Sequence, residues 1–307
     1  MRSFLCLAKL SLLGVWVFIS HIGDLQADER KYNLSVCAFI KNESHYLREW
    51  IEYHRLVGVD HFYLYDNASQ DKSSILLAPY IKQGVVTRIY WPDRIKQDEE
   101  QLEHWMLSTK LHAYEHAAKY RALNETRWLV ILDVDEYLVP VEGNRMDEVL
   151  QKYDNDVAVT LKCDFFDASV IDVLPRRELL IETVELTGPP AQNIQRAVDK
   201  MIFKPEQYTI FTWPPYRCHF KDDALPVPLT RQQMRINKYV NRFNGSWHFS
   251  KRKERLHVDN RLLTEYQSEE VLRNGFVMED KERTILRFEP QLRKSMGLSS
   301  GRRWELE

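Results

Sequence analysis

The chain has 307 residues, with 43 Lys and Arg against 45 Asp and Glu and a formal net charge of −2. That length fits one large α/β domain or two small ones, and the balanced charge leaves no electrostatic footprint for nucleic acid. Of the four cysteines, Cys6 lies in an apolar N-terminal segment. Cys37, Cys163 and Cys218 form neither a disulfide framework nor a zinc spacing, so they read as buried thiols.

The N-terminus carries Arg2 and Lys9 around an apolar stretch, Phe4–Ile22, and then Asp24, Asp28 and Glu29. A basic, apolar, acidic order marks a signal peptide or a single-pass N-terminal membrane anchor, here residues 1–27, with the body of the protein on the far side of the membrane. Five N-x-S/T sequons begin at Asn33, Asn42, Asn67, Asn124 and Asn244. They are weak evidence of a secretory origin, since a glycan on Asn42 or Asn67 would obstruct the expected cleft.

From residue 32 onward β and α patterns alternate. Leu34–Ile40 reads as a strand. Ser44 is placed to cap a helix whose apolar positions are Leu47, Trp50, Ile51, His54 and Val57, and Gly58 ends it. His61–Tyr65 is the next strand, followed by the turn-rich segment 66–71. Ser73–Gln83 is a helix closed by Gly84, and Val85–Trp91 a strand ended by Pro92. Glu99–Tyr120 is a long amphipathic helix, and Trp128–Leu132 a fourth strand. This spacing predicts a doubly wound, mostly parallel sheet. The second half is less regular: a helix over Met146–Tyr153, strands over Val157–Leu161, Arg177–Leu186 and Lys200–Pro205, a helix over Ser268–Asn274, and a helical or extended tail over Thr284–Leu298.

Trp128-Leu-Val-Ile-Leu-Asp-Val-Asp-Glu-Tyr-Leu-Val-Pro140 carries the chemistry. An apolar run ends in Asp133, Asp135 and Glu136, at the strand end where open α/β sheets hold their ligands. Carboxylates one residue apart there can share Mg²⁺ or Mn²⁺, and such ions usually also hold substrate phosphates. No Gly-rich phosphate loop is present, so metal and carboxylates would have to hold any nucleotide.

Three blocks, Val36 through His54, Gly58 through Asp71 and Trp128 through Pro140, resemble glycosyltransferase family 92 and the related family-2-like transferases. The resemblance continues more loosely through residues 177–183, 200–205 and 234–253. It implies a GT-A fold over residues 32–307, with a Rossmann-like nucleotide-binding half and an irregular acceptor-binding half. It also implies metal-dependent transfer of a hexose, galactose foremost, from a nucleotide-sugar donor such as a UDP-sugar to a glycan or another hydroxyl acceptor. Asn42, Glu43 and Asp66 would line the nucleoside pocket. Asp133 would meet ribose or metal, and Asp135 the metal.

His219, in Pro215-Tyr-Arg-Cys-His-Phe220, is the candidate late metal ligand, with His248 an alternative. Where related sequences carry His-Tyr, this chain has Lys238-Tyr239, and a lysine there suits the diphosphate rather than the metal. An acceptor base is also needed. Asp222 is preferred over Asp223 and Asp164. His112 and His116 stand one helical turn apart, a spacing that suits packing on the long helix better than a metal pair.

Two rivals share the pattern. Ile131-Leu-Asp-Val-Asp135 resembles the haloacid-dehalogenase phosphatase motif, but Tyr137 follows it and three βα units precede it. A non-catalytic carbohydrate- or nucleotide-binding relative of the same fold draws its support from Lys238.

Overall fold

A computed structural model describes residues 30–92, 109–167, 178–183, 186–188, 200–212, 217–240, 280–281 and 283–299. The N-terminal segment, the first part of the long helix, His248 and the helix expected at Ser268–Asn274 lie outside these residues.

The strands are β1 (Tyr32–Ile40), β2 (His61–Asp66), β3 (Val86–Tyr90), β4 (Thr126–Ile131), β5 (Glu136–Pro140), β6 (Ala158–Asp167), β7 (Leu186–Gly188), β8 (Lys200–Phe203), β9 (Tyr208–Thr212), β10 (Arg217–Phe220), β11 (Val227–Pro228), β12 (Met234–Val240) and β13 (Asp280–Lys281). The helices are α1 (Leu47–Leu56), α2 (Ser73–Lys82), α3 (Leu111–His116), α4 (Met146–Leu150), α5 (Leu180–Thr183) and α6 (Glu289–Met296). The main sheet runs β13-β7-β6-β8-β4-β1-β2-β3. Strands β4, β1, β2 and β3 are mutually parallel, and β8 joins β4 to β6 antiparallel to both. β12 lies parallel to β6 and antiparallel to β5.

The central strands are apolar on both faces because helices cover both. Leu34, Val36, Ala38 and Ile40 of β1 enter one core with Trp50 and Ile51 of α1 and Leu77 of α2. Cys37 and Phe39 point the other way, into a second core with Ala113, Tyr114 and Ala117 from α3 and the turns after it. Trp128 and Val130 of β4 join the first core, and Leu129 and Ile131 the second. This two-sided burial is the doubly wound arrangement read from the sequence. Cys37, Cys163 and Cys218 are buried thiols, as expected.

Three local expectations change. Ser44 makes no side-chain cap; its amide donates to the Asp71 carboxylate at 2.8 Å, and the helix begins at Leu47 beneath the Glu43 carbonyl. Residues 180–183, expected within a strand, form α5. The carboxylate of Glu49 on α1 accepts the amides of Leu180 (2.8 Å) and Ile181 (3.2 Å), satisfying donors that a helix N-terminus leaves open. Strand β5 directly follows the acidic turn, where the sequence pattern showed no separate strand.

Candidate active site

β4 ends at Ile131, and the chain turns through Asp133 and Asp135 into β5. The Glu136 amide donates to the Asp133 carbonyl at 3.0 Å, and the Asp133 amide donates to Glu136 Oε2 at 2.9 Å. Tyr239 of β12 donates its amide to the Asp135 carbonyl at 2.8 Å, and the indole of Trp50 donates to the Glu136 carbonyl at 2.8 Å. The acidic turn is thus fixed to β12 on one side and to α1 on the other.

One oxygen from each of Asp133, Asp135 and Glu136 lies within 4.8 Å of the other two. Three lysines face them. Lys110 Nζ lies 3.0 Å from Asp133 Oδ1. Lys200 Nζ lies 2.7 Å from Glu136 Oε2, and Lys238 Nζ 2.7 Å from Glu136 Oε1. Lys238 also stands 3.7 Å from Asp133 Oδ2 and 3.8 Å from Asp135 Oδ1.

Burial pushes the Lys200 ammonium below its ordinary pKa, against the attraction of Glu136 and Asp133. Burial also opposes the charge on Lys238, but Asp135, Glu136 and Asp133 together outweigh it and hold its pKa well above the ordinary value.

The carboxylates fit a divalent cation unequally. Glu136 is fully buried, with each oxygen held by an ammonium, so it anchors the lysines. Asp135 keeps a partly exposed side chain beside the buried Asp133, and their oxygens are of the hard type that Mg²⁺ and Mn²⁺ prefer. These two are the residues that would hold an ion.

The loops after β1 and β2 meet beside this turn. Lys41 Nζ donates to Asn67 Oδ1 at 2.9 Å, the Asn42 amide to Ser69 Oγ at 3.0 Å, and the Gln70 amide to Asn42 Oδ1 at 2.7 Å. Asn42 has φ +56°, a left-handed conformation that Asn tolerates better than most residues. Asp66 is fully buried at the end of β2, where its carboxylate accepts the Ser69 amide at 2.8 Å and Arg88 Nε at 2.8 Å. Glu43 is also buried. Asn67 is fully buried with its amide engaged by Lys41 and the Trp91 carbonyl, so its sequon is closed to a glycan in the folded domain.

Of the residues singled out from the sequence, Asp133, Asp135 and Lys238 come together, and Asn42, Glu43 and Asp66 share the adjacent sheet edge. His219 does not join the acids. It is exposed on the two-stranded β9–β10 hairpin, which packs through Cys218 and Phe220 on the second core. Among the described residues no histidine belongs to the acidic group, so His219 stands apart from the acids it was expected to join. Asp222 and Asp223 form an exposed turn after β10 with φ values of +55° and +50°. Asp164 is clamped between Arg231 at 2.7 Å and Arg235 at 3.3 Å. His116 packs as expected: its Nδ1 bonds the Tyr65 hydroxyl at 2.6 Å and its ring lies against Trp91.

Lys110, Lys200 and Arg88 were missed. A single lysine on an amphipathic helix, or at the first position of a strand, carries no sequence signal for a site assembled across the fold.

The geometry defines an α/β protein with a lysine-framed acidic site at the carboxyl edge of its parallel strands. The sequence model of glycosyltransferase family 92 matches residues 32–276, and the chain belongs to that family. A family 92 protein of Oryza sativa subsp. japonica is 30% identical over 125 residues, covering 40% of this chain and 19% of the relative. One of Ricinus communis is 26% identical over 183 residues, covering 58% and 30%. The chain therefore spans less than a third of the length of these relatives. Among solved structures, Staphylococcus aureus TarS residues 1–349 in complex with UDP overlaps with a TM-score of 0.38 at 9% identity, covering 85% of this chain and 72% of that one. Glucosyl-3-phosphoglycerate synthase from Mycobacterium tuberculosis, in complex with Mn²⁺, UDP-glucose and phosphoglyceric acid, gives 0.37 at 16% identity, covering 80% and 83%.

Proposed function

We propose that this chain transfers a hexosyl group, galactose or another hexose, from a nucleotide diphosphate, UDP foremost, to a hydroxyl of a glycan or glycoconjugate. The observation that carries the reading is the Asp133–Asp135 pair, hydrogen-bonded in place at the carboxyl edge of β4 with Asp135 partly exposed, in a chain of family 92. Asp133 and Asp135 would hold Mn²⁺ or Mg²⁺. When bound, such an ion neutralises the departing diphosphate as a Lewis acid.

The chain's own residues do the rest. Asn42, Glu43 and Asp66 shape the nucleoside pocket, with Arg88 fixing the Asp66 carboxylate. Lys110 orients Asp133, and Lys238 supplies positive charge beside the diphosphate. A carboxylate must take the acceptor's proton. Asp222, exposed in the turn after β10, stays the sequence candidate for this role, while Asp164 is already bound by two guanidinium groups. Residues 1–27 would tether or direct the domain at a membrane. Among the described residues no helix is long and apolar enough to cross one.

A second reading rests on a specific observation. Three ammonium groups already face the three carboxylates, as they would in a relative that binds nucleotide or carbohydrate without turning it over. Hydrolysis of UDP- and GDP-sugars with and without Mn²⁺ separates the two. Release of free sugar from one donor, dependent on Mn²⁺, supports the transferase. Donor binding with no turnover under any condition supports the second reading.

A further inference from the structure

Lys238 stands where a divalent cation would feel it most. Its Nζ is 2.7 Å from Glu136, 3.7 Å from Asp133 and 3.8 Å from Asp135. An ion bound at roughly 2.1 Å from the Asp133 and Asp135 oxygens would therefore lie no more than about 6 Å from this ammonium. Lys238 has little freedom to leave. It sits in the β12 ladder with its backbone in register with Glu136, and its side chain is only 20% exposed.

Among the described residues the local charge also closes without a metal. Asp133, Asp135 and Glu136 contribute three negative charges, and Lys110, Lys200 and Lys238 three positive ones. A divalent ion added alone would leave a largely buried site doubly positive, and excess charge away from water is costly. A diphosphate brings the missing negative charge and offers further oxygens to the ion.

We propose that Lys238 is a built-in cation of the Asp133–Asp135 site, so that a divalent ion enters only together with a diphosphate and not ahead of it. This rests on the donor-site reading above. It makes Lys238 a positioning residue that sets the order of assembly by charge, since an ammonium cannot itself serve as a metal ligand.

The experiment is calorimetry on the full chain with three titrants: Mn²⁺ alone, UDP alone, and UDP in the presence of Mn²⁺. The natural chain is expected to show no binding of Mn²⁺ alone up to about millimolar concentration, and UDP binding at least tenfold tighter with Mn²⁺ than without. Lys238→Gln should bind Mn²⁺ alone at least tenfold more tightly than the natural chain, a gain that simple structural damage would not produce. Lys238→Arg, which keeps the charge, should behave as the natural chain does. Micromolar binding of Mn²⁺ alone by the natural chain overturns the proposal, and this arm needs no variant to fold. An unchanged Mn²⁺ affinity in a folded Lys238→Gln overturns it too. Failure of UDP to bind under every metal condition instead overturns the donor-site reading, and the proposal falls with it.

Discussion

Glu136 and Lys200 meet at 2.7 Å with side chains 0% and 1% exposed, an ion pair wholly withdrawn from water beneath the acidic turn. Glu136 lies between Lys200 and Lys238 and also accepts the Asp133 amide, so it holds the turn in shape from below. Breaking such a pair leaves an uncompensated buried charge, which typically costs about 3–5 kcal/mol. Glu136→Gln should therefore lower the free energy of unfolding by about that amount, read from denaturant melts followed by tryptophan fluorescence. Asp135→Asn, at a more exposed carboxylate, should change stability by less than about 1 kcal/mol in the same assay.

His54 predicts acid sensitivity. It is fully buried, its Nδ1 bonds the Trp50 carbonyl at 2.8 Å, and its Nε2 accepts the Leu138 amide at 3.2 Å. Burial pushes its pKa down from 6.5 to about 3. Below pH 6.5 the unfolded chain binds a proton that the folded chain refuses, so stability falls as pH drops from 6.5 towards 3 and is constant in this respect above 6.5. His61, lowered to about 4 chiefly by burial, adds in the same direction over the upper part of that window. Urea midpoints should hold level from pH 7.5 to about 6.5 and then decline towards pH 4, and His54→Gln should flatten the decline.

The alternation of β and α and the acidic strand end were legible because both are local. A run such as Trp128–Leu132, apolar at every position, needs only its own residues to announce a two-sided strand. The lysine frame was not legible. Lys110 and Lys200 reach Asp133 and Glu136 from 23 and 64 residues away, through a helix and a strand whose patterns are ordinary. Lys238 was visible only as a departure from the family's His-Tyr, and its contact with Glu136 depends on the β12–β5 register. Residues 180–183 misled for a similar reason: their helix starts on a carboxylate from α1, a partner 131 residues upstream of Leu180. His219 sits in a suggestive sequence order, but it lies exposed on β10 while its neighbours Cys218 and Phe220 pack on the second core.

Asp66 tests the nucleoside side of the site. Asp66→Ala should weaken UDP and an intact UDP-sugar about equally, by about 1–3 kcal/mol, because it frees Arg88 and the Ser69 turn that shape the pocket. Competition calorimetry with the two ligands reads the difference. Loss confined to the intact sugar would place Asp66 against the hexose rather than the nucleoside.

Removing residues 1–27 should leave the melting temperature of the remaining chain unchanged, because β1 begins at Tyr32 and already pairs with β2 and β4. A drop of several degrees in a thermal melt would show that the segment packs on the fold.

Whether Asp133 and Asp135 form the donor site of a nucleotide-sugar transferase is read by calorimetry of UDP in the presence of Mn²⁺ on the natural chain and on Asp135→Asn. The natural chain is expected to bind in a Mn²⁺-dependent way, and a folded Asp135→Asn to lose that binding by at least about two orders of magnitude, since the metal's charge partner is a main electrostatic contribution to such a site. Equal UDP affinity in the two proteins would contradict that assignment.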